Sequence, residues 1–247
     1  MNVFTALLDT IYPPRCPLCG RFLHGRRGAR DGKTPFFCPD CLEGFKAIGS
    51  PRCSLCGRPF PPHPGEDHSC EACLRNPPLF EAATGPYVYE GPLMEAIHLF
   101  KYGKKASLAR PLGLLLARYG ERQFKGKGDM VIMPVPLHPR RLRERGFNQS
   151  LLLARHVAGR LESDLDFLSL RRVRYTLPQT GLGKEARKMN VRRAFEVRGC
   201  GTIQGRAVLL VDDVATTGNT LNECARVLKK AGATTVRCLV LAQTMGP

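Results

Sequence analysis

The sequence predicts an α/β protein, a parallel doubly wound sheet preceded by a small cysteine-rich module. Three observations carry that prediction. Strand-like and helix-like patterns alternate from about residue 80 onward, eight of the 11 cysteines fall before residue 74, and the run Val208 to Val211 is continuously apolar, as in a strand covered on both faces. The change of texture divides the chain into residues 1–78 and 79–247.

Before the cysteines, Phe4, Leu7, Leu8 and Ile11 follow the spacing of a short amphipathic helix, which Pro13 and Pro14 end. An internal repeat follows. Pro14-Arg15-Cys16-Pro17-Leu18-Cys19-Gly20-Arg21 returns as Pro51-Arg52-Cys53-Ser54-Leu55-Cys56-Gly57-Arg58, with one position changed. Each copy precedes a second pair, Cys38/Cys41 and Cys70/Cys73. Two thiolates on a tight turn grip one ion, and two such turns complete a tetrahedron. The spacing therefore predicts two structural zinc ions with closed all-cysteine coordination. Consecutive pairs sharing a site gives Cys16, Cys19, Cys38, Cys41 and Cys53, Cys56, Cys70, Cys73; an interleaved arrangement is the alternative. Eight thiolates leave no place for His63 or His68, which are read as loop histidines. So few large apolar groups in this segment imply that metal drives its folding.

In the second part, Thr84 to Tyr89 reads as a strand, and Leu93, Ile97 and Phe100 as one face of a helix. A second helical stripe is Leu108, Leu112, Leu115, Leu116 and Tyr119. Met130 to Met133 is a short strand running into Pro134-Val135-Pro136, and a helix from about Asn148 buries Leu151, Leu152, Val157 and Leu161. After the Val208 to Val211 strand, a helix buries Leu221, Cys224, Ala225 and Leu228 until Gly232 ends it. Thr235 to Leu241 is the last buried strand. Cys200, Cys224 and Cys238 are read as small apolar fillers.

The 247 residues are 43% hydrophobic and 24% charged, which excludes wholesale disorder, a collagen-like repeat and a coiled coil. No apolar run approaches the ~20 residues of a membrane-spanning helix. The first residues lack the basic start and uninterrupted apolar stretch of a secretion signal, so the expected location is the cytoplasm, with peripheral attachment at the inner face of the membrane as an option. Thirty-eight Lys and Arg against 21 Asp and Glu give a net charge of +17. Such a surplus points to an anionic partner, a nucleic acid or a phosphorylated small molecule.

The segment richest in chemistry is Val208-Leu209-Leu210-Val211-Asp212-Asp213-Val214-Ala215-Thr216-Thr217-Gly218-Asn219-Thr220. A buried strand leads to two adjacent carboxylates, and a small-residue turn then opens a helix. Ligands of open parallel sheets bind outside the carboxyl ends of strands, where this turn falls. Amides and hydroxyls at a helix N-terminus seat a phosphate, and Gly218 lets the backbone approach it. Paired acids beside a phosphate make sense if they accept from neighbouring sugar hydroxyls or meet a magnesium ion. A Walker-type nucleotidase is excluded, because no Gly-x4-Gly-Lys-Ser/Thr loop accompanies the acidic pair.

This pattern resembles the phosphoribosyl pyrophosphate (PRPP) signature of type I phosphoribosyltransferases. The resemblance implies a phosphoribosyltransferase-type sheet, with Asp212 and Asp213 on the ribose hydroxyls and Ala215, Thr216, Thr217, Gly218, Asn219 and Thr220 around the 5′-phosphate of magnesium-PRPP. With Pro134-Val135-Pro136-Leu137, then Arg145-Gly146-Phe147-Asn148-Gln149, behind a double zinc ribbon, the chain is similar almost end to end to the ComF/GntX family, associated with DNA uptake in competent bacteria. By that resemblance Val135, Pro136, Leu137 and His138 form the pyrophosphate loop. Residues 171–194 then form a mobile loop contacting ligand through Arg174, Thr176, Gln179, Arg187 and Asn190. Where 6-oxopurine salvage enzymes carry an acid two residues before the loop glycine, this chain has Thr216, which argues against hypoxanthine or guanine salvage.

Between Arg140 and Arg198 there are 15 Lys and Arg against six Asp and Glu. Arg140, Arg141, Arg143 and Arg145, followed by Asn148 and Gln149, form a strip suited to pyrophosphate or a DNA backbone. Phe147 beside them is read as a helix-start core residue, with base stacking as the alternative. The expected function is a competence accessory protein that binds magnesium-PRPP and single-stranded DNA and works with DNA-uptake proteins. An active phosphoribosyltransferase of unknown acceptor and a PRPP-sensing regulator are the alternatives.

Overall fold

The cysteine repeat folds the same way twice in a computed structural model of the protein, which describes residues 13–23, 36–61, 64–103, 105–124, 126, 129–176, 191–199 and 201–245. In each copy the first Cys donates its N–H to the closing Arg carbonyl at 2.8 Å, Cys16 to Arg21 and Cys53 to Arg58. A glycine with positive φ turns each chain back, +74° at Gly20 and +71° at Gly57. The later pair of each copy opens a short helix. Helix α1 (Pro39–Glu43) starts after Cys38, and α2 (Glu71–Arg75) after Cys70. The expected N-terminal helix face, along with His63, Gln179, Arg187, Asn190 and Cys200, lies outside the described residues.

Strands β1 (Ala82–Thr84) and β2 (Tyr87–Val88) come next, then helices α3 (Gly91–Lys101) and α4 (Ala109–Phe124) and strand β3 (Met130–Pro134). Helices α5 (Pro139–Arg145) and α6 (Gln149–Leu161) lead to a small antiparallel hairpin of β4 (Leu170–Arg172) and β5 (Phe195–Val197). The chain ends with β6 (Ala207–Ala215), α7 (Asn219–Lys230) and β7 (Thr235–Gln243). The main sheet is parallel, in the order β1-β7-β6-β3, with β2 following β1 along the same side of β7. The single strand expected over Thr84 to Tyr89 is thus two. Pro86 has no N–H for a ladder, and Gly85 passes so close to β7 that a Cβ there would lie 2.5 Å from the Val240 carbonyl oxygen.

Alternate residues of the central strands feed two cores. Leu209, Val211, Leu239 and Leu241 face the buried stripes of α3, α4 and α6, among them Leu93, Ile97, Phe100, Leu112, Leu116 and Val157. Val208, Leu210, Val236, Cys238 and Val240 face α7 and the hairpin through Leu221, Cys224, Leu228 and Phe195. Each such side chain contributes about 1.5–3 kcal/mol on leaving water. Burial raises the thiols of Cys224 and Cys238 well above their ordinary pKa, in keeping with their role as apolar filler.

The cysteine-rich part joins the sheet by main chain. Ala83 donates its N–H to Leu55 O at 2.7 Å, Val88 to Lys46 O at 2.9 Å, and Ile48 to Pro86 O at 2.8 Å. A Cβ on Gly57 would lie 2.3 Å from Ala83 O, so only glycine permits this approach. Phe37 and Phe45 continue the first core, Phe45 meeting Tyr87 edge-on at 5.7 Å. No described helix is long and apolar enough to cross a membrane.

Candidate functional site

The eight N-terminal cysteines form two clusters of four, in consecutive pairs: Cys16, Cys19, Cys38, Cys41 and Cys53, Cys56, Cys70, Cys73. None is in a disulfide. Sulfurs on a tetrahedral zinc with ~2.3 Å bonds lie ~3.8 Å apart. Cys56 and Cys70 have their sulfurs 3.8 Å apart, Cys19 and Cys38 3.5 Å. The donor set and its spacing therefore fit zinc. Burial works to raise the Cys53 pKa, but the N–H groups of Cys70 and Cys56, at 3.3 and 3.4 Å from its sulfur, win and bring it down to about 7.

The acidic pair lies within β6, which runs to Ala215, rather than after it. Strand β3 pairs with β6 only as far as Pro134 opposite Val211, whereas β7 accompanies β6 to Ala215. Where β3 turns away, a cavity of about 230 Å³ opens, lined by Asp212 and Asp213 together with Val135, Pro136, Leu137, Gln149, Thr216 and Thr220. Ser150 Oγ donates to Asp212 at 2.7 Å, and Lys101 Nζ lies 2.9 Å from Asp213. Burial and the neighbouring Asp213 charge lift Asp212 to about pH 7, against the opposing pull of Lys101. Burial works to lower the Lys101 ammonium, but the carboxylate beside it holds its pKa above the ordinary lysine value.

Further cations, Arg141, Arg145 and Arg172, line the same cavity. Burial, then the charge of Arg141, depresses the Arg172 guanidinium. Arg141 and Arg172 donate to Thr176, through its carbonyl at 3.0 Å and its hydroxyl respectively, yet the Nε of each arginine is buried without a hydrogen-bond partner. Gln149 Nε2 and Thr217 Oγ1 are likewise buried and unpartnered. Such groups are expensive unless something polar meets them. Gly218, at φ +73°, starts α7 with no side-chain cap on its amides, the geometry of an anion seat. At this glycine the constraint is conformation, since a Cβ would make only an ordinary 3.9 Å contact with Phe80.

Not every expected residue reaches the cavity. Asn148 is spent on capping α6, accepting from Ser150 N–H and donating to Val135 O, both at 3.1 Å. His138 caps α5 by accepting from Arg140 N–H at 3.2 Å. Arg140 pairs with Glu144 and lies over Tyr175, and Arg174 donates to Arg192 O at 2.6 Å. Phe147 stacks on Phe100 at 5.4 Å, the core role expected of it. Lys101 and Arg172 were not anticipated. A cation four residues after Ile97, on the stripe of α3 that is otherwise apolar, was the available signal for Lys101.

Residues 7–74 match the double zinc ribbon domain family, and residues 148–246 match the phosphoribosyl transferase domain family. The chain is 35% identical to the DNA utilization protein YhgH of Salmonella typhimurium over 196 residues, 78% of this chain and 84% of that one. It is 31% identical to competence protein F of Haemophilus influenzae over 233 residues, 93% of this chain and 96% of that one. The chain belongs to the ComF family. A more distant relative, competence protein ComFC of Bacillus subtilis, is 27% identical over 198 residues, covering 79% and 78% of the two chains. In this ComF-family chain the sheet carries the acid pair and the phosphate-type turn, while the double ribbon is tied to the sheet's flank.

Proposed function

We propose that this ComF-family protein binds magnesium-PRPP in the β6 cavity and single-stranded DNA along the arginines beside it, in support of DNA uptake or use. Asp212 and Asp213 accept from the ribose hydroxyls, and the Thr216 to Thr220 turn seats the 5′-phosphate. The Val135 to Leu137 loop, Arg141 and Arg172 flank the pyrophosphate, whose oxygens give the two unpartnered Nε atoms acceptors. Magnesium arrives with the ligand and offsets part of its charge. DNA phosphates then meet the arginines of α5 that face solvent. The ribbon is the surface left for DNA-uptake proteins.

The observation carrying this reading is the pair of arginines, each with a buried, unpartnered Nε, that line one cavity with the acidic pair. The names of the relatives, DNA utilization and competence proteins, support the DNA half. The test is calorimetric titration of magnesium-PRPP, with and without a single-stranded oligonucleotide, for the native protein and Asp213→Asn. Loss of PRPP binding with DNA binding intact supports two adjoining sites. PRPP binding untouched by the substitution overturns the assignment of the acidic pair.

A further inference from the structure

Between the acidic pair and the arginines of α5 lies an aromatic ledge that the PRPP assignment does not use. Tyr89, His98 and Tyr102 all line the cavity, beside Lys101 and Arg145. The three rings form a chain: Tyr89 and His98 are roughly parallel with centroids 6.3 Å apart, and His98 meets Tyr102 edge-on at 5.7 Å. The Arg145 guanidinium sits 5.1 Å from the centre of the Tyr102 ring. Tyr102 is 59% exposed, among the most exposed large hydrophobic side chains of the described residues, and His98 is exposed too.

Core packing does not explain rings held at the surface, and the sequence has no tryptophan to serve in their place. Cations alternating with flat rings are what single-stranded nucleic acids require, because phosphates follow the cations while bases stack on the rings. Arg145 supplies the cation and Tyr102 the ring within one contact. We propose that Tyr102 and His98 form a base-stacking ledge that receives an unpaired base of single-stranded DNA at the mouth of the PRPP cavity. The inference rests on the single-stranded-DNA reading above and adds to it a contact with bases rather than phosphates. The ledge is indifferent to sequence, since every base has a π face.

The experiment compares an oligo-dT strand with an abasic strand of the same length and phosphate count, by fluorescence anisotropy at moderate salt. The full-length protein is expected to bind the oligo-dT strand about tenfold more tightly than the abasic one. Tyr102→Ala removes that difference, and Tyr102→Phe retains it. Arg145→Ala weakens both strands. Because Tyr102 is so exposed, its substitution leaves the fold intact, which a matching urea midpoint checks. Equal affinity of the native protein for both strands overturns the ledge while leaving the DNA reading standing. Discrimination that survives Tyr102→Ala combined with His98→Ala overturns it as well. Binding of neither strand overturns the DNA reading itself.

Discussion

Lys101 and Asp213 face each other at 2.9 Å, from the last turn of α3 and near the C-terminal end of β6, with side chains only 18% and 8% exposed. The pair joins the helical layer to the acid-bearing strand. On the proposed reading it also sets an ammonium where a ligand's sugar hydroxyls compete for the same carboxylate.

Removing one partner of a largely buried pair strands the other charge. Lys101→Met is therefore expected to destabilise the protein by about 3 kcal/mol at pH 8. At pH 5, where Asp212 is protonated, the loss is smaller. Lys101→Met combined with Asp213→Asn recovers much of it. Urea unfolding at the two pH values checks all three statements; a loss independent of pH and not relieved in the double variant contradicts them.

Asp212, lifted to about 7, makes affinity depend on pH. Only its ionised form is a full acceptor for sugar hydroxyls, so magnesium-PRPP affinity is expected to rise from pH 6 to pH 8. Asp212→Asn flattens that profile. The same shift has the opposite sign for the ligand-free fold. A carboxyl whose pKa is raised on folding favours the protonated native state, so its contribution to stability declines as pH climbs from about 4 to about 7.

Burial depresses the Arg172 guanidinium even though it donates to the Thr176 hydroxyl and lies over the Phe195 ring. Arg172→Met is expected to leave the urea midpoint nearly unchanged, since it relieves a buried guanidinium depressed by burial and by Arg141. PRPP affinity falls at least about tenfold with loss of a charge-assisted hydrogen bond. A variant that loses stability and binding together would identify Arg172 as a fold residue instead.

The repeat supplies its own control. Gly20 and Gly57 have the same left-handed backbone, but a methyl at Gly20 meets open space while one at Gly57 meets Ala83 O at 2.3 Å. Gly20→Ala is expected to cost about 1 kcal/mol for the backbone alone. Gly57→Ala costs ~3 kcal/mol, because the ribbon must also leave its close approach to β1. Thermal melts of the zinc-loaded variants check the difference; equal costs would contradict the role given to the close approach.

What could be read from the chain was local. Cysteine spacing revealed both clusters because each pair spans one turn, and the Val208 to Val211 run revealed the central strand because both its faces are covered. The acid pair was visible from the small-residue turn just after it. Lys101 was hidden because its partner Asp213 lies far away in sequence, and Arg172 because only the fold brings the hairpin to the cavity that β6 lines. Strands β4 and β5 have three residues each, too few to display a period. Helix α5 carried its signals, with Pro139 at the start and Gly146 at the end, beneath a run of arginines that drew the reading toward charge.

An outermost strand with unspent N–H and C=O groups invites a neighbouring molecule to extend the sheet. Here β1 bonds to the main chain of Leu55, β2 to that of Lys46, and Pro86 between them to that of Ile48, segments that lie beside the clustered cysteines in sequence. Metal in the clusters is therefore expected to guard against self-association as well as to hold the ribbon in shape. Chelation is expected to raise the scattering mass of the protein while the helical signal of the sheet domain persists.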